Sequence, residues 1–333
     1  MTSFRSFIAL FSLALGSVLA TCLIFELFCR IVVDDGMHYH LEMWKYATSL
    51  KEFADDSAIG HQHVPGSQAR LMGVDVKINA NGLRDAPFDA SAESLRILML
   101  GDSVTFGWGV PHSETVAERL EQDLKKRLNM PVDVINAGVG NYNTSMEVAW
   151  FFEQGMAYKP DVVVLNVFVN DAEMAPEYSP VSMWDRFLYS RVILFGAIDT
   201  VARTLFGGLE WDAYYQGLYE DSAPGWLAMQ AAFGQLANFC RDNDIPLVLV
   251  DYPELRELNP YPFSGVSVKL DNMAQAQGVK YLSLLPAVQG EDPMTLWVTQ
   301  PDPHPNARAA KLMSDYFEPR LTELMNINAI TAP

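Results

Sequence analysis

Residues 97–104 read Ile-Leu-Met-Leu-Gly-Asp-Ser-Val, an apolar run that stops abruptly at Gly101-Asp102-Ser103. An apolar run without polar alternation suits a strand buried on both faces, as in a parallel sheet covered by helices. Open sheets of that kind place their chemistry just beyond the carboxyl ends of their strands. A serine at that edge stands beside the backbone donors of the next helix, where a nucleophile is useful. Gly-Asp-Ser also makes an ordinary turn, so the triplet alone leaves both readings open.

The rest of the chain repeats the rhythm. Strand candidates lie at 96–100, 132–136, 162–168, 246–251 and 279–284, with helix candidates at 114–128, 144–157, 226–243, 265–277 and 307–325. Val116, Leu120, Leu124 and Leu128 recur every four residues, as the core-facing stripe of a helix does. Strand–helix alternation predicts an α/β fold, a three-layer α/β/α sandwich with a flavodoxin-like parallel sheet. Residues 172–224 break the rhythm and carry Tyr178, Trp184, Tyr189, Phe195, Phe206, Trp211, Tyr214, Tyr215 and Tyr219. That insertion reads either as a lid or substrate wall or as an accessory helical hairpin. The hairpin is preferred, because aromatics at helical spacing are usually core.

The N-terminus stands apart from the globule. Phe7 to Phe25 carry no charge, and nineteen residues at about 1.5 Å each nearly cross a hydrocarbon core. Arg5 precedes the segment and Asp34-Asp35 follow it, which favours an N-inside orientation with the remainder on the exported side. An uncleaved membrane anchor over 1–33 is the expectation. A cleaved signal peptide ending near Val18-Leu19-Ala20 is the alternative. Residues 34–95 then form a juxtamembrane lead-in, with turn chemistry at Asn79-Ala80-Asn81-Gly82, and 96–327 form the main domain. Cys22 and Cys29 fall in the apolar segment and leave Cys240 alone, so no disulfide or cysteine metal site is available to the globule. The net charge of −18 argues against nucleic acid as a partner.

A serine nucleophile needs a base and an oxyanion site. Asn136-Ala137-Gly138-Val139-Gly140-Asn141-Tyr142-Asn143-Thr144 follows the second strand, and its glycines let backbone amides approach developing negative charge. The third strand ends at Val169-Asn170-Asp171, which brings a side-chain amide to the same sheet edge. Far downstream, Asp302-Pro303-His304 precedes the last helix, and an imidazole beside a carboxylate suits proton transfer near neutrality.

These four segments, in this order, resemble the blocks of the SGNH/GDSL hydrolases over roughly residues 96–325. The resemblance implies Ser103 as nucleophile and His304 as general base. It implies oxyanion donors from the Ser103 amide, an amide at Gly140 or Asn141, and the Asn170 side chain. Two departures stand out. The second glycine of the family's block falls on Asn141, with Gly140 one residue early. The carboxylate that usually stands three residues before the histidine falls on Pro301, so Asp302 is the candidate orienter. If Asp302 fails to reach the ring, a Ser–His pair oriented by another group is the alternative.

The expected activity is hydrolysis of an acyl ester, acetyl on a glycan or a lipid ester among the substrates, through an acyl-enzyme and without cofactor or metal. An O-acyltransferase acting on polysaccharide and a catalytically silent envelope-binding module are the rivals. The His38-Tyr39-His40 and His61-Gln62-His63 pairs lack a third ligand and read as solvated loop. Arg84 reads as a surface salt bridge, with contact to an anionic substrate as the alternative.

Overall fold

Five strands, β1 (Leu95–Gly101), β2 (Val132–Gly138), β3 (Val162–Val167), β4 (Leu247–Asp251) and β5 (Lys280–Ser283), make one sheet in the order β2-β1-β3-β4-β5. Every pairing in it is parallel. This computed structural model describes residues 2–89, 91, 93–175, 187–206, 211–300 and 302–325, with the backbone alone for 2–3 and 199–206. The strand order is the flavodoxin-like one that the sequence predicts. The run that ends in Gly-Asp-Ser is buried on both faces because its residues alternate between two cores. Ile97 and Met99 point into one, Leu98 and Leu100 into the other.

Helices close both faces. On one side Val116–Leu128 and Ala307–Leu324 bury Leu120, Leu124, Met313, Phe317 and Leu321. On the other, Thr144–Glu153, Pro224–Asp242 and Ser264–Ala276 bury Met146, Trp150, Phe233 and Leu270. Helix starts follow capping chemistry: the Thr115, Asn143 and Asn306 side chains accept from amides of the first turns. The anticipated helix at 144–157 ends at Glu153 and gives way to a 3-10 turn at Gly155–Tyr158. Within the insertion, Tyr189–Phe206 and Trp211–Leu218 are helical. Tyr178, Trp184 and the Phe206 side chain lie outside the described residues.

Residues 34–95 add a third small core. A helix at Tyr39–Ser49 is followed by two antiparallel hairpins, Lys51–Phe53 with His61–His63 and Gln68–Leu71 with Val74–Lys77. Tyr46, Leu50, Leu71 and Ile78 pack there against Phe106 and Trp108, just past the nucleophile candidate.

Two sequence readings are corrected here. His61 and His63 are buried on a strand rather than solvated, although no metal-binding cluster forms among the described residues. Arg84 is 1% exposed. Its guanidinium donates to the Phe106, Gly107 and Val110 carbonyls at 2.9, 2.5 and 2.5 Å and lies over the Phe106 ring. The planar fork of two terminal nitrogens spans carbonyls set further apart than the single nitrogen of an ammonium reaches. Arg84→Lys is therefore expected to cost about 2–3 kcal/mol of stability by leaving buried carbonyls unpaired, read by denaturant unfolding. A change within about 0.5 kcal/mol, the range of ordinary surface substitutions, contradicts this role.

Candidate active site

Ser103 opens a single helical turn, Ser103–Phe106, directly after β1. The turn is capped by the Asp102 carboxylate, which accepts from the Val104 amide at 2.8 Å. Close approach requires glycine at the strand ends: a Cβ on Gly101 would lie 2.0 Å from Thr105 Oγ1, and one on Gly138 would lie 2.2 Å from the Phe106 nitrogen. Gly101 and Gly138 are partners in the β1–β2 register, so the nucleophile turn and the glycine block leave the sheet side by side.

His304 arrives from the far end of the chain. It lies on a short strand, Asp302–Pro305, paired antiparallel with Trp297–Thr299, rather than in the first turn of the last helix. Alternate residues of a strand share a face, and this places Asp302 beside the His304 ring despite its short spacing. Asp302 Oδ1 meets His304 Nδ1 at 2.5 Å, and Ser103 Oγ meets His304 Nε2 at 2.9 Å. The other Asp302 oxygen accepts from the Trp108 indole at 2.8 Å. Burial alone would raise the Asp302 pKa, but its hydrogen bonds with His304 and Trp108 hold it below the usual carboxylate range. An ionised Asp302 favours a proton on Nδ1 and leaves Nε2 to accept from Ser103. Asp302 reaches the imidazole despite its short spacing.

The oxyanion candidates separate. The Gly140 amide donates to the Tyr46 hydroxyl at 2.9 Å and is not free to hold an oxyanion. Asn141 adopts φ 69°, the left-handed region that Asn tolerates better than most residues. Its amide makes no hydrogen bond among the described residues, nor does that of Ser103. The Asn170 side-chain amide lies beside the Asp102 carboxylate and favours its ionised form. The lead-in supplies one neighbour of His304: the Tyr39 ring stacks on the imidazole at 6.4 Å and 30°. Nothing in the sequence marks Tyr39, Tyr46 or Trp108 as neighbours of Ser103. Their approach is tertiary.

Beneath the site lie three buried carboxyl groups, Asp102, Asp171 and Glu147. Burial raises all three pKa values, and their mutual repulsion lifts Asp171 and Glu147 further. Neither Glu147 oxygen has a hydrogen-bond partner among the described residues, whereas Asp171 accepts from Thr144 Oγ1 at 2.7 Å. Glu147 is thus held toward its neutral form in the fold, while in the unfolded chain it ionises above about 4.3. Folding must then take up a proton, and stability falls as pH rises above that point. Glu147→Gln removes this penalty. It is expected to raise the melting temperature at pH 8, by about 2–4 °C per kcal/mol recovered, and to raise it less at pH 5. A lower melting temperature at pH 8, or an equal shift at both pH values, contradicts the assignment.

A model of the GDSL-like lipase/acylhydrolase family matches residues 99–312. None of the curated proteins compared with the chain matches it. Solved structures similar to it include TesA, 16% identical over 69% of this chain and 99% of that one, with a TM-score of 0.45. A mutant of Axe2, an acetyl-xylooligosaccharide esterase from Geobacillus Stearmophilus, is 12% identical over 71% and 96% at a TM-score of 0.45. The esterase EstA from Pseudoalteromonas sp. is 15% identical over 70% and 100% at 0.43. With the family model covering well over half of the sequence, from β1 into the last helix, the chain belongs to the GDSL-like lipase/acylhydrolase family.

Proposed function

We propose that the chain hydrolyses esters of short acyl groups such as acetyl, with Ser103 as nucleophile, His304 as general base and Asp302 as its orienting carboxylate. The observation that carries this reading is the contact chain of Asp302, His304 and Ser103, at 2.5 and 2.9 Å. His304 Nε2 takes the Ser103 proton as Oγ attacks the acyl carbonyl. The imidazolium formed is stabilised by Asp302, and the oxyanion is held by the Ser103 and Asn141 amides and the Asn170 side chain. His304 then protonates the departing alcohol, and water, activated by the same base, releases the acyl group. Ser103 is only 9% exposed and the Tyr39 and Trp108 rings flank His304, which supports a small acyl group.

The family establishes the reaction class, and the anchoring is part of the same proposal. Phe4–Val33 is long and apolar enough to cross a membrane and exposes nearly all of its side chains, a property a signal sequence shares. Glu26, the acid in that helix, faces the domain. Its carboxylate accepts from the Tyr189 and Ser190 amides at 3.1 and 2.9 Å and pairs with Arg30 at 2.6 Å. The charge is thereby spent on capping the helix at Tyr189–Phe206. That helix exposes Leu194, Phe195 and Ile198 next to the anchor, which suits a position at the bilayer surface on the exported side.

Turnover of p-nitrophenyl acetate by the full chain in detergent should vanish in Ser103→Ala. It should fall by about 10²–10³ in Asn170→Ala and by about 10⁴ in Asp302→Asn, where the wrong tautomer faces Ser103. Normal turnover in folded Ser103→Ala contradicts the reading. Acyl transfer to an added sugar faster than release to water would make the chain an acyltransferase instead.

A further inference from the structure

Gly140 O and Asn141 N–H belong to one peptide unit, so whatever holds the carbonyl aims the amide. That carbonyl accepts from Lys51 Nζ and from His61 Nε2, the latter at 3.0 Å. Lys51 also donates to Asn141 Oδ1 at 3.1 Å and stands 4.3 Å from the centre of the Tyr46 ring. A carbonyl can only accept, so His61 carries its proton on Nε2, and Lys51, 3.1 Å from the same nitrogen, is a neighbour of that ring rather than its donor. The preceding peptide is fixed by the same hairpin. Gly140 N–H donates to Tyr46 Oη, the Tyr46 hydroxyl donates to His63 Nε2 at 2.7 Å, and His63 Nδ1–H donates to the Gly82 carbonyl at 3.2 Å. Burial holds both imidazoles neutral, with pKa values down to about 3.

We propose that Lys51, supported by His61, is a positioning residue of the oxyanion site: it locks the 140–141 peptide and polarises it, so that the Asn141 amide is a stronger donor to the oxyanion. The inference rests on the reading of Ser103 as nucleophile and of the Asn141 amide as an oxyanion donor. A cation on a carbonyl oxygen draws electron density from the amide nitrogen, and hydrogen bonds in series strengthen one another. The effect grows with the negative charge on the substrate oxygen, so it acts on the transition state more than on the bound ester. Lys51 likewise explains why Asn can occupy a glycine position. The side chain that a left-handed residue must accommodate is anchored by the same ammonium. Burial pulls Lys51 down to about 7, the cost of placing a cation against neutral partners, and its contacts among the described residues include no carboxylate.

The test is steady-state kinetics of the full chain in detergent with p-nitrophenyl acetate, for wild type, Lys51→Met, Lys51→Arg and His61→Gln, beside Ser103→Ala. Lys51→Met is expected to lower kcat on the order of ten- to a hundredfold, a fraction of the loss of a whole oxyanion donor, with KM nearly unchanged. Lys51→Arg, which keeps the cation, should recover most of it. His61→Gln, which can still donate to the carbonyl, should lose less than Lys51→Met. An inactive Ser103→Ala together with a fully active Lys51→Met overturns this inference and leaves the nucleophile standing. An active Ser103→Ala overturns both. If Lys51→Met unfolds, Lys51→Arg and His61→Gln decide: a kcat equally depressed in both, with raised KM, marks a merely structural hairpin and overturns the proposal.

Discussion

The parallel pairing of β1 with β2, carried through to Gly101 opposite Gly138, is the constraint on which the site depends. Backbone hydrogen bonding extends the pairing past the strands, since the Val139 amide donates to the Gly101 carbonyl at 3.0 Å. The Asn136 side chain then ties the two exits together by donating to the Thr105 carbonyl at 2.9 Å. With side chains absent at 101 and 138, the helical turn of Ser103 nests against the glycine block. A methyl group at either position would push Ser103 away from the glycine-block amides, and under the proposed mechanism displacements of that size matter greatly.

Around that pair the chain assembles supports from distant segments. His304 lies 201 residues from Ser103 and is held by a two-stranded ribbon rather than by the sheet itself. Trp108, five residues past the nucleophile, reaches across to Asp302 and couples the two halves. Residues 34–95 contribute more than a spacer between the apolar N-terminal helix and the domain. Tyr39 stacks on the imidazole, Tyr46 and Lys51 hold the glycine block, and Arg84 staples the loop after the nucleophile. Rigid neighbours of this kind keep a site preorganised at little entropic cost during the reaction.

What the sequence revealed and what it hid follow from the range of the forces involved. The five strands and the helices packed on them are legible because burial on both faces leaves an unbroken apolar run, and a core-facing helix leaves a periodic stripe. Gly101-Asp102-Ser103 and Asp302-Pro303-His304 are legible as local chemistry at predicted strand ends. The choice between Gly140 and Asn141 is not, because it turns on Tyr46, nearly a hundred residues earlier, taking one amide. Arg84, His61 and His63 look like solvent-facing polar residues, since polarity alone does not say whether a tertiary partner will satisfy them. Lys51 is hidden for the same reason: its carbonyl partner is eighty-nine residues away. The insertion is legible only as aromatic and helical, and the Tyr39 ring that stacks on His304 comes from the lead-in, which the sequence does not mark as part of the site.

The central claim is that the fold activates Ser103 through His304. The most direct measurement is peptide mass spectrometry of the full chain after reaction with a fluorophosphonate, wild type beside His304→Ala. One phosphonyl adduct on the peptide containing Ser103, formed by the wild type and not by His304→Ala over the same interval, is the predicted result. An unmodified Ser103 in folded wild-type protein, or equal modification in the absence of the imidazole, would contradict it.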